Sequence, residues 1–580
     1  MARSKSARGG PALGPFLQQL GVALDSLSPD EIRQSIKAYA TELLPAEREP
    51  FLAMLVRKEA PRQEAGPLLD DIDDLLARIR AGEFYDGYGW DHEIYAERAF
   101  GDDSWADEMD DLFSGAANAF VNGDFDLAWQ AYSRLLRAIW GGEESEQLSG
   151  AEDPIELLKT DLAEAKTRCL RALYEVTPAP DRPSALLDAL YAFAWSGRSV
   201  TLQNLREARP VDLADVTTFL PAWIAGLKTE RRAGFDQQAR QLLSEATVLH
   251  EGLDGLTTLA RERGVRQPEI YLDLVQQLVS TDRGRAITAA REALTAPVPR
   301  GEVRAQIADA LAEQSAEIAD QAEARREAWR AGPNAARLVN LAATAISASQ
   351  GNRMLNDEAE FVLTDRREGD APSDRLVAIL LMLAGRLDQA VERARQARPD
   401  WSSPDHPGYA VIPALLVASA RPALLPGSAL EECIAGIDRS EWYDHRQLFE
   451  TARADLNDGA DAEESNESRS DKPMLANLIR SRLPLTVMPA DRDRWITAAQ
   501  GLVQTASRSV LEAKQRHSYE RIARVAVAMG EAMAEDRQGE RFVADLLASY
   551  PRHTAFRREL ENAWRRSPVI KQSAPYPRRR

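Results

Sequence analysis

Nucleophilic, acid–base and metal-assisted chemistry need reactive side chains at defined spacings, and few of those spacings occur in this 580-residue chain. Its six histidines, His92, His250, His406, His445, His517 and His553, are dispersed along the sequence, and none stands in an H-E-x-x-H pair. Its two cysteines, Cys169 and Cys433, lie far apart in helix-like contexts, without the local settings of cysteine nucleophiles. No G-x-S-x-G elbow, no Gly-Lys of a phosphate-binding loop and no G-x-G-x-x-G is present. Acid pairs such as Asp73/Asp74 and Asp110/Asp111 are common because the chain is acidic, and the D-x-D-x-D-G…E spacing of a calcium loop is missing. The expectation is a protein that is not an enzyme and that holds no cofactor and no metal.

One segment does concentrate chemistry, of a recognition kind. Glu64 to Asp111 holds 16 acids and 3 basic residues, and Phe84–Phe113 carries 8 of the chain's 38 aromatics, namely Phe84, Tyr85, Tyr88, Trp90, Tyr95, Phe100, Trp105 and Phe113. Asp86-Gly87 and Gly89 punctuate it as loop. Two readings stay open. The aromatics plug the first groove of a helical body while the acids stay solvated, or they form an anionic, aromatic-lined patch for a basic partner. Guanidinium groups stack on aromatic faces and pair with carboxylates, so such a patch suits arginine-rich peptides. The candidate partner-binding residues are Tyr85, Tyr88, Trp90, Asp91, Trp105 and Asp107.

The elements around this segment read as helices. Ser28-Pro-Asp-Glu supplies an N-cap, a proline at the first helical position and acids in the first turn, opening an amphipathic stretch from Ile32 to about Leu44. A second short helix is expected from Phe51. Helical hairpins then recur. The clearest runs from Ala116 through a turn at Gly123 into a second helix with Ala128, Tyr132 and Leu135 on one face. Similar wording returns after Gly234, Gly284 and Gly385. In the last part, Trp495, Ala499, Leu502 and Ala506 mark one apolar face and Tyr519, Ile522, Val525 and Met529 the next, followed by helices through Phe542–Leu547 and after Pro551. Strand signals are nearly absent.

Charge divides the chain. From Leu475 to Arg580 there are 20 Lys+Arg against 11 Asp+Glu, a net of +9, while the rest carries 52 basic against 80 acidic residues, a net of −28. Between them, Asn457–Asp471 has no apolar residue larger than alanine and cannot bury enough surface to offset its ordering entropy. The expected organisation is a disordered basic start (1–13), an N-terminal helical pair (14–62), the acidic aromatic segment (63–115), a helical-repeat body (116–456), a disordered acidic linker (457–473), a basic C-terminal helical domain (474–567) and a disordered tail (568–580). The basic domain is expected to dock on the acidic body through charge. Its arginines are read as solvated or paired to that body, as nucleic-acid contacts, or as contacts to another acidic protein; no interleaved aromatics favour nucleic acid. No apolar run spans a membrane and no secretion signal follows the first residues, so a cytoplasmic location is expected.

The hairpin phrases at Gly123, Gly234, Gly284 and Gly385 resemble tetratricopeptide-type repeats. The order Leu76-Ala-Arg-Ile-Arg-Ala-Gly-Glu, Gly89-Trp-Asp, Gly101-Asp-Asp-Ser-Trp, and Tyr550-Pro-Arg-His-Thr-Ala-Phe near the end, is similar to that of bacterial tetratricopeptide-like helical-repeat proteins of uncharacterised function. The resemblance implies a bacterial source and an all-α solenoid of helical hairpins with a small C-terminal helical domain, and no activity. Relatives with a SWIM-type finger carry CxC…CxH ligands that this chain lacks. The functional expectation is a protein–protein interaction scaffold or adaptor using a concave acidic surface. The alternative is a regulatory protein or protease substrate cut in the linker, at candidate positions Ser465, Ser468, Ser470, Lys472 or Met474, to release the C-terminal domain. That layout resembles accessory proteins of CRISPR-associated proteases.

Overall fold

The computed structural model describes residues 22–23, 26–42, 51, 65–91, 96–140, 147–149, 154–193, 199–297, 301–348, 351–364, 371–398, 400–420, 426–439, 475–483, 487–533 and 537–571. The fold is all-α, with 24 α-helices and one two-stranded hairpin among the described residues. They fall into two compact units, one up to Leu259 and one from Ala260 onward.

In the first unit, helix α1 (Pro29–Glu42) starts on a capping box: the Ser28 amide donates to Glu31 Oε2 at 2.8 Å and the Glu31 amide to Ser28 Oγ at 3.4 Å. Helix α2 (Ala65–Arg80) leads into strands β1 (Gly87–Asp91) and β2 (Ala96–Phe100), and α3 (Ser104–Val121) and α4 (Phe125–Trp140) follow. The turn between α3 and α4 is the expected one. Gly123 takes φ +83°, its amide bonds Phe120 O and the Asp124 amide bonds Ala119 O, which closes the helix with a Schellman motif. Ala116, Ala119, Ala128, Tyr132 and Leu135 are all buried where the two helices meet. Then come α5 (Leu162–Val176), α6 (Arg182–Ala192), α7 (Leu202–Glu207), α8 (Val216–Thr229) and α9 (Asp236–Arg263), the last broken by non-helical dihedrals at Gly252.

The second unit continues with α10 (Glu269–Val279), α11 (Arg283–Thr295), α12 (Glu302–Gln314), α13 (Ile318–Ala331), α14 (Ala335–Ser347), α15 (Gly351–Thr364), α16 (Asp374–Leu383), α17 (Leu387–Gln396), α18 (Gly408–Ala420) and α19 (Ala429–Arg439). The Schellman bonds recur at Gly385, from Gly385 N to Met382 O and Arg386 N to Leu381 O. The hairpin expected at Gly284 turns earlier: Asp282 caps α11 by accepting from the Arg285 amide, so Gly284 lies inside the helix. Two buried charges of this unit, Arg337 and Glu358, are ion-paired. Glu358, 0% exposed, accepts from Arg326 Nε at 2.5 Å and Arg330 Nε at 2.8 Å.

The boundary expected at 474 does not separate two cores. Helices α20 (Leu475–Arg482), α21 (Pro489–Glu512), α22 (Tyr519–Ala532), α23 (Gln538–Ser549) and α24 (Thr554–Arg566) share one apolar core with α14 and α16–α19. All eight residues marked as the apolar faces of α21 and α22 are buried in it. Nor is 116–456 one body, since the division falls after Leu259. Docking by charge is replaced by docking through apolar side chains, with polar ties at the edges. The Glu531 carboxylate accepts from the Ala429 and Leu430 amides at 3.1 and 2.8 Å, capping α19 from α22, and Arg482 Nε donates to Leu383 O at 2.9 Å. The tail expected to be disordered from 568 begins ordered, with Ile570 buried against Gly530. The linker, its candidate cleavage residues Ser465, Ser468, Ser470, Lys472 and Met474, residues 1–13 and the second helix expected after Phe51 lie outside the described residues.

Within this unit His406 stacks on Trp401 with ring centroids 3.6 Å apart, and its Nδ1 accepts from the Gly408 amide at 3.1 Å. Burial pushes its pKa down from 6.5 to about 4. The folded state therefore keeps the ring neutral while the unfolded chain takes up a proton below 6.5. Stability is expected to fall as pH drops from about 6.5 toward 4. Between pH 7.5 and 5, thermal melts of the wild type should lose more than melts of His406→Gln. Parallel losses would show that His406 does not contribute this slope.

Candidate partner-binding surface

Within the acidic aromatic segment, between α2 and α3 in sequence, β1 and β2 pair as an antiparallel hairpin where a loop was expected. Gly87 and Gly89 weaken the strand signal, yet the register is regular: Gly87 faces Phe100, Tyr88 faces Ala99, Gly89 faces Arg98, Trp90 faces Glu97 and Asp91 faces Ala96. The Asp86 amide extends the ladder to Phe100 O at 2.8 Å. At the base the backbones nearly touch. A Cβ on Gly101 (φ +151°) would lie 2.0 Å from Phe84 O, so only glycine fits there.

Burial divides the aromatics of the segment. Phe84, Trp105 and Phe113 are buried. Trp105 is 0% exposed, and its Nε1 donates to both Ser149 O and Ser149 Oγ at 3.2 Å; that hydroxyl has Asp102 O at 2.9 Å and Asp103 Oδ1 at 2.8 Å as acceptors for its one proton. Tyr88 and Trp90, two residues apart on β1, are 66% and 50% exposed. Some rings of the segment are thus buried and two stand on the surface. Tyr85 is half-buried in the turn before β1, and Asp91 ends β1 opposite Ala96. Asp107 is exposed and ion-paired to Lys159 Nζ at 2.6 Å. The six candidates are thus not one constellation; Tyr88 and Trp90 alone share the exposed hairpin face.

Two acidic features escaped the sequence reading. Glu97 lies across the ladder from Trp90 and accepts from the Tyr88 hydroxyl at 3.3 Å. Its signal was the i, i+2 spacing of Tyr88 and Trp90 followed by a short return strand, masked by the two glycines. Beside the hairpin, Arg78 stacks 4.9 Å over Phe84, donates to Glu83 through Nε and Nη2, and reaches Glu108 at 2.7 Å through Nη1. The guanidinium holds the Glu83 carboxyl below the usual carboxylate range.

Cys169 is buried and Cys433 partly so, and burial pushes both thiols up. Among the described residues no three His, Cys, Asp or Glu side chains converge as a metal site, and no helix is long and apolar enough to cross a membrane. A groove of about 500 Å³ in the second unit is lined by Asp388, Val391, Arg395, Asp493, Arg494, Thr497 and Ala498; Arg494 is already paired to Asp388 at 2.8 Å.

No protein-family model matches the chain, and no curated protein sequence matches it. Among solved structures it is similar to a "circular tandem repeat protein with novel repeat topology and enhanced subunit contact surfaces", at 13% identity, over 86% of this chain and 95% of that one, with a TM-score of 0.17. A likeness at that score carries no argument, and the all-α assignment rests on the helices described above. The bacterial tetratricopeptide-like family gains no support beyond the presence of helical hairpins.

Proposed function

We propose that the chain is a non-enzymatic protein–protein interaction scaffold whose first unit presents the β1–β2 hairpin to a partner with a basic, arginine-containing segment. The observation that carries this reading is the pair Tyr88 and Trp90, held exposed on one hairpin face while Phe84, Trp105 and Phe113 are buried. Exposed rings in fixed positions lose little conformational freedom on contact and are enriched where protein surfaces bind. The surrounding segment, with 16 acids against 3 basic residues, selects for positive charge and against nucleic acid. The helices supply rigidity, since the hairpin base is locked by Phe84, Gly101 and Trp105. A partner would then meet a preformed surface.

The test is a fluorescence-anisotropy titration of a labelled arginine-rich peptide with the full chain. Saturable binding is expected, weakening at least about tenfold in Tyr88→Ala/Trp90→Ala, the loss of two stacking contacts. Absence of binding, or the same affinity in the double variant, would overturn the assignment.

A further inference from the structure

Resting on that reading, we infer that the exposed hairpin face is an arginine clamp, selective for a guanidinium over an ammonium of equal charge. Four side chains make the face: Tyr88 and Trp90 on β1, Ala99 and Glu97 opposite them on β2. Same-face neighbours on a strand stand about 6.7 Å apart, twice the rise per residue. Two van der Waals contacts of ~3.5 Å fill that interval, so a flat group slides between the rings and a tetrahedral, strongly hydrated ammonium does not. Ala99, opposite Tyr88, is the small cross-strand neighbour on this face. Glu97, opposite Trp90, brings a carboxylate to the same place; the Tyr88 hydroxyl bonds it at 3.3 Å and fixes its position. Rings above and below, with a carboxylate at the edge, satisfy the faces and the N–H fork of a guanidinium together.

The chain displays guanidinium–ring contacts twice in the immediate surroundings, one of them with carboxylates at the fork. Arg78 lies over Phe84 with Glu83 and Glu108 at its fork, and Arg98 lies 5.3 Å over Phe100 beside the opposite face of the hairpin. In the Arg78 cradle the guanidinium comes from the chain itself. On the Tyr88–Trp90 face it comes from the partner.

The experiment titrates the full chain with two peptides of equal length, spacing and charge, one bearing arginine and the other lysine. Arginine is expected to bind about tenfold tighter, the margin that stacking and a bidentate pair supply. Glu97→Gln should narrow that margin, and Trp90→Ala, at an exposed position that leaves the fold intact by circular dichroism, should abolish it. Equal affinities for the two peptides overturn the clamp and leave the basic-partner reading standing, whereas no binding of either peptide overturns both. A preference for arginine that persists in both Trp90→Ala and Tyr88→Ala places the selectivity elsewhere and also overturns the clamp.

Discussion

Cutting the chain between residues 457 and 473 is expected to leave both fragments in one particle. The helices after the cut do not hang from the body by charge. Leu502, Val503, Val510, Ile522, Val527 and Met529 are buried in the core that also holds Leu380, Met382 and Leu415. Each large apolar side chain so buried contributes about 1.5–3 kcal/mol. A dozen of them outweigh the ~4–15 kcal/mol cost of holding two separate chains together. Polar ties add direction: Trp495 Nε1 donates to Asp388 Oδ1 at 3.1 Å, Arg521 Nη1 to Ser402 O at 2.7 Å, and Glu531 caps α19. Salt near 1 M shortens the Debye length to about 3 Å and does nothing to dissolve apolar contact. A chain carrying an engineered protease site in 457–473 should therefore, after complete cleavage, elute as one peak in 1 M NaCl and come apart only in denaturant. Two peaks in salt alone would restore the picture of a charge-docked, releasable domain. If the fragments stay together, cleavage in the linker frees the C-terminal helices only with a second event that opens the core.

Trp105→Ala should cost the first unit about 3–5 kcal/mol, whereas Trp90→Ala should cost less than about 0.5 kcal/mol. The two tryptophans lie 15 positions apart in one acidic segment, and composition does not distinguish them. Trp105 fills a buried site and its indole N–H is bonded to Ser149; its removal leaves a cavity and strips one partner from the Ser149–Asp102–Asp103 network. Trp90 leaves half its surface in water already. Urea unfolding of the full chain should show the first variant's lowest transition moved to lower denaturant and the second's unmoved, with two transitions allowed because two compact units are present. Comparable losses in both variants would mean that the hairpin face is a structural contact, and the surface assigned to a partner would be gone.

Helix positions were legible because their signals are local. Ser28 with Glu31, and the Gly123 and Gly385 turns, each state a boundary within a few residues. The turn before α11 was misplaced because Gly284 looks like a stop, while the cap that starts the helix is Asp282. The hairpin was hidden for the opposite reason. Gly87 and Gly89 carry no strand preference, and what makes β1 is the backbone closure at Gly101 and Phe84, a contact across 17 residues. Which aromatics plug and which protrude was equally unreadable, since Trp105 is decided by Ser149, far along the chain. The shared core of α16–α19 with α20–α24 is less local still. Opposite net charges suggested electrostatic docking, but the apolar faces of α21 and α22, correctly marked, already needed an apolar surface to cover them.

The most direct measurement of the central claim is fluorine NMR of the full chain labelled with 5-fluorotryptophan. The Trp90 and Trp105 signals would be assigned by their loss in Trp90→Phe and Trp105→Phe. On adding an arginine-rich peptide, the Trp90 resonance is expected to shift progressively to saturation while the buried Trp105 resonance stays in place, because the partner contacts the exposed hairpin face alone. A Trp90 resonance that does not move at peptide concentrations that saturate the anisotropy signal would contradict the account, and the binding surface would have to be sought on another part of the chain.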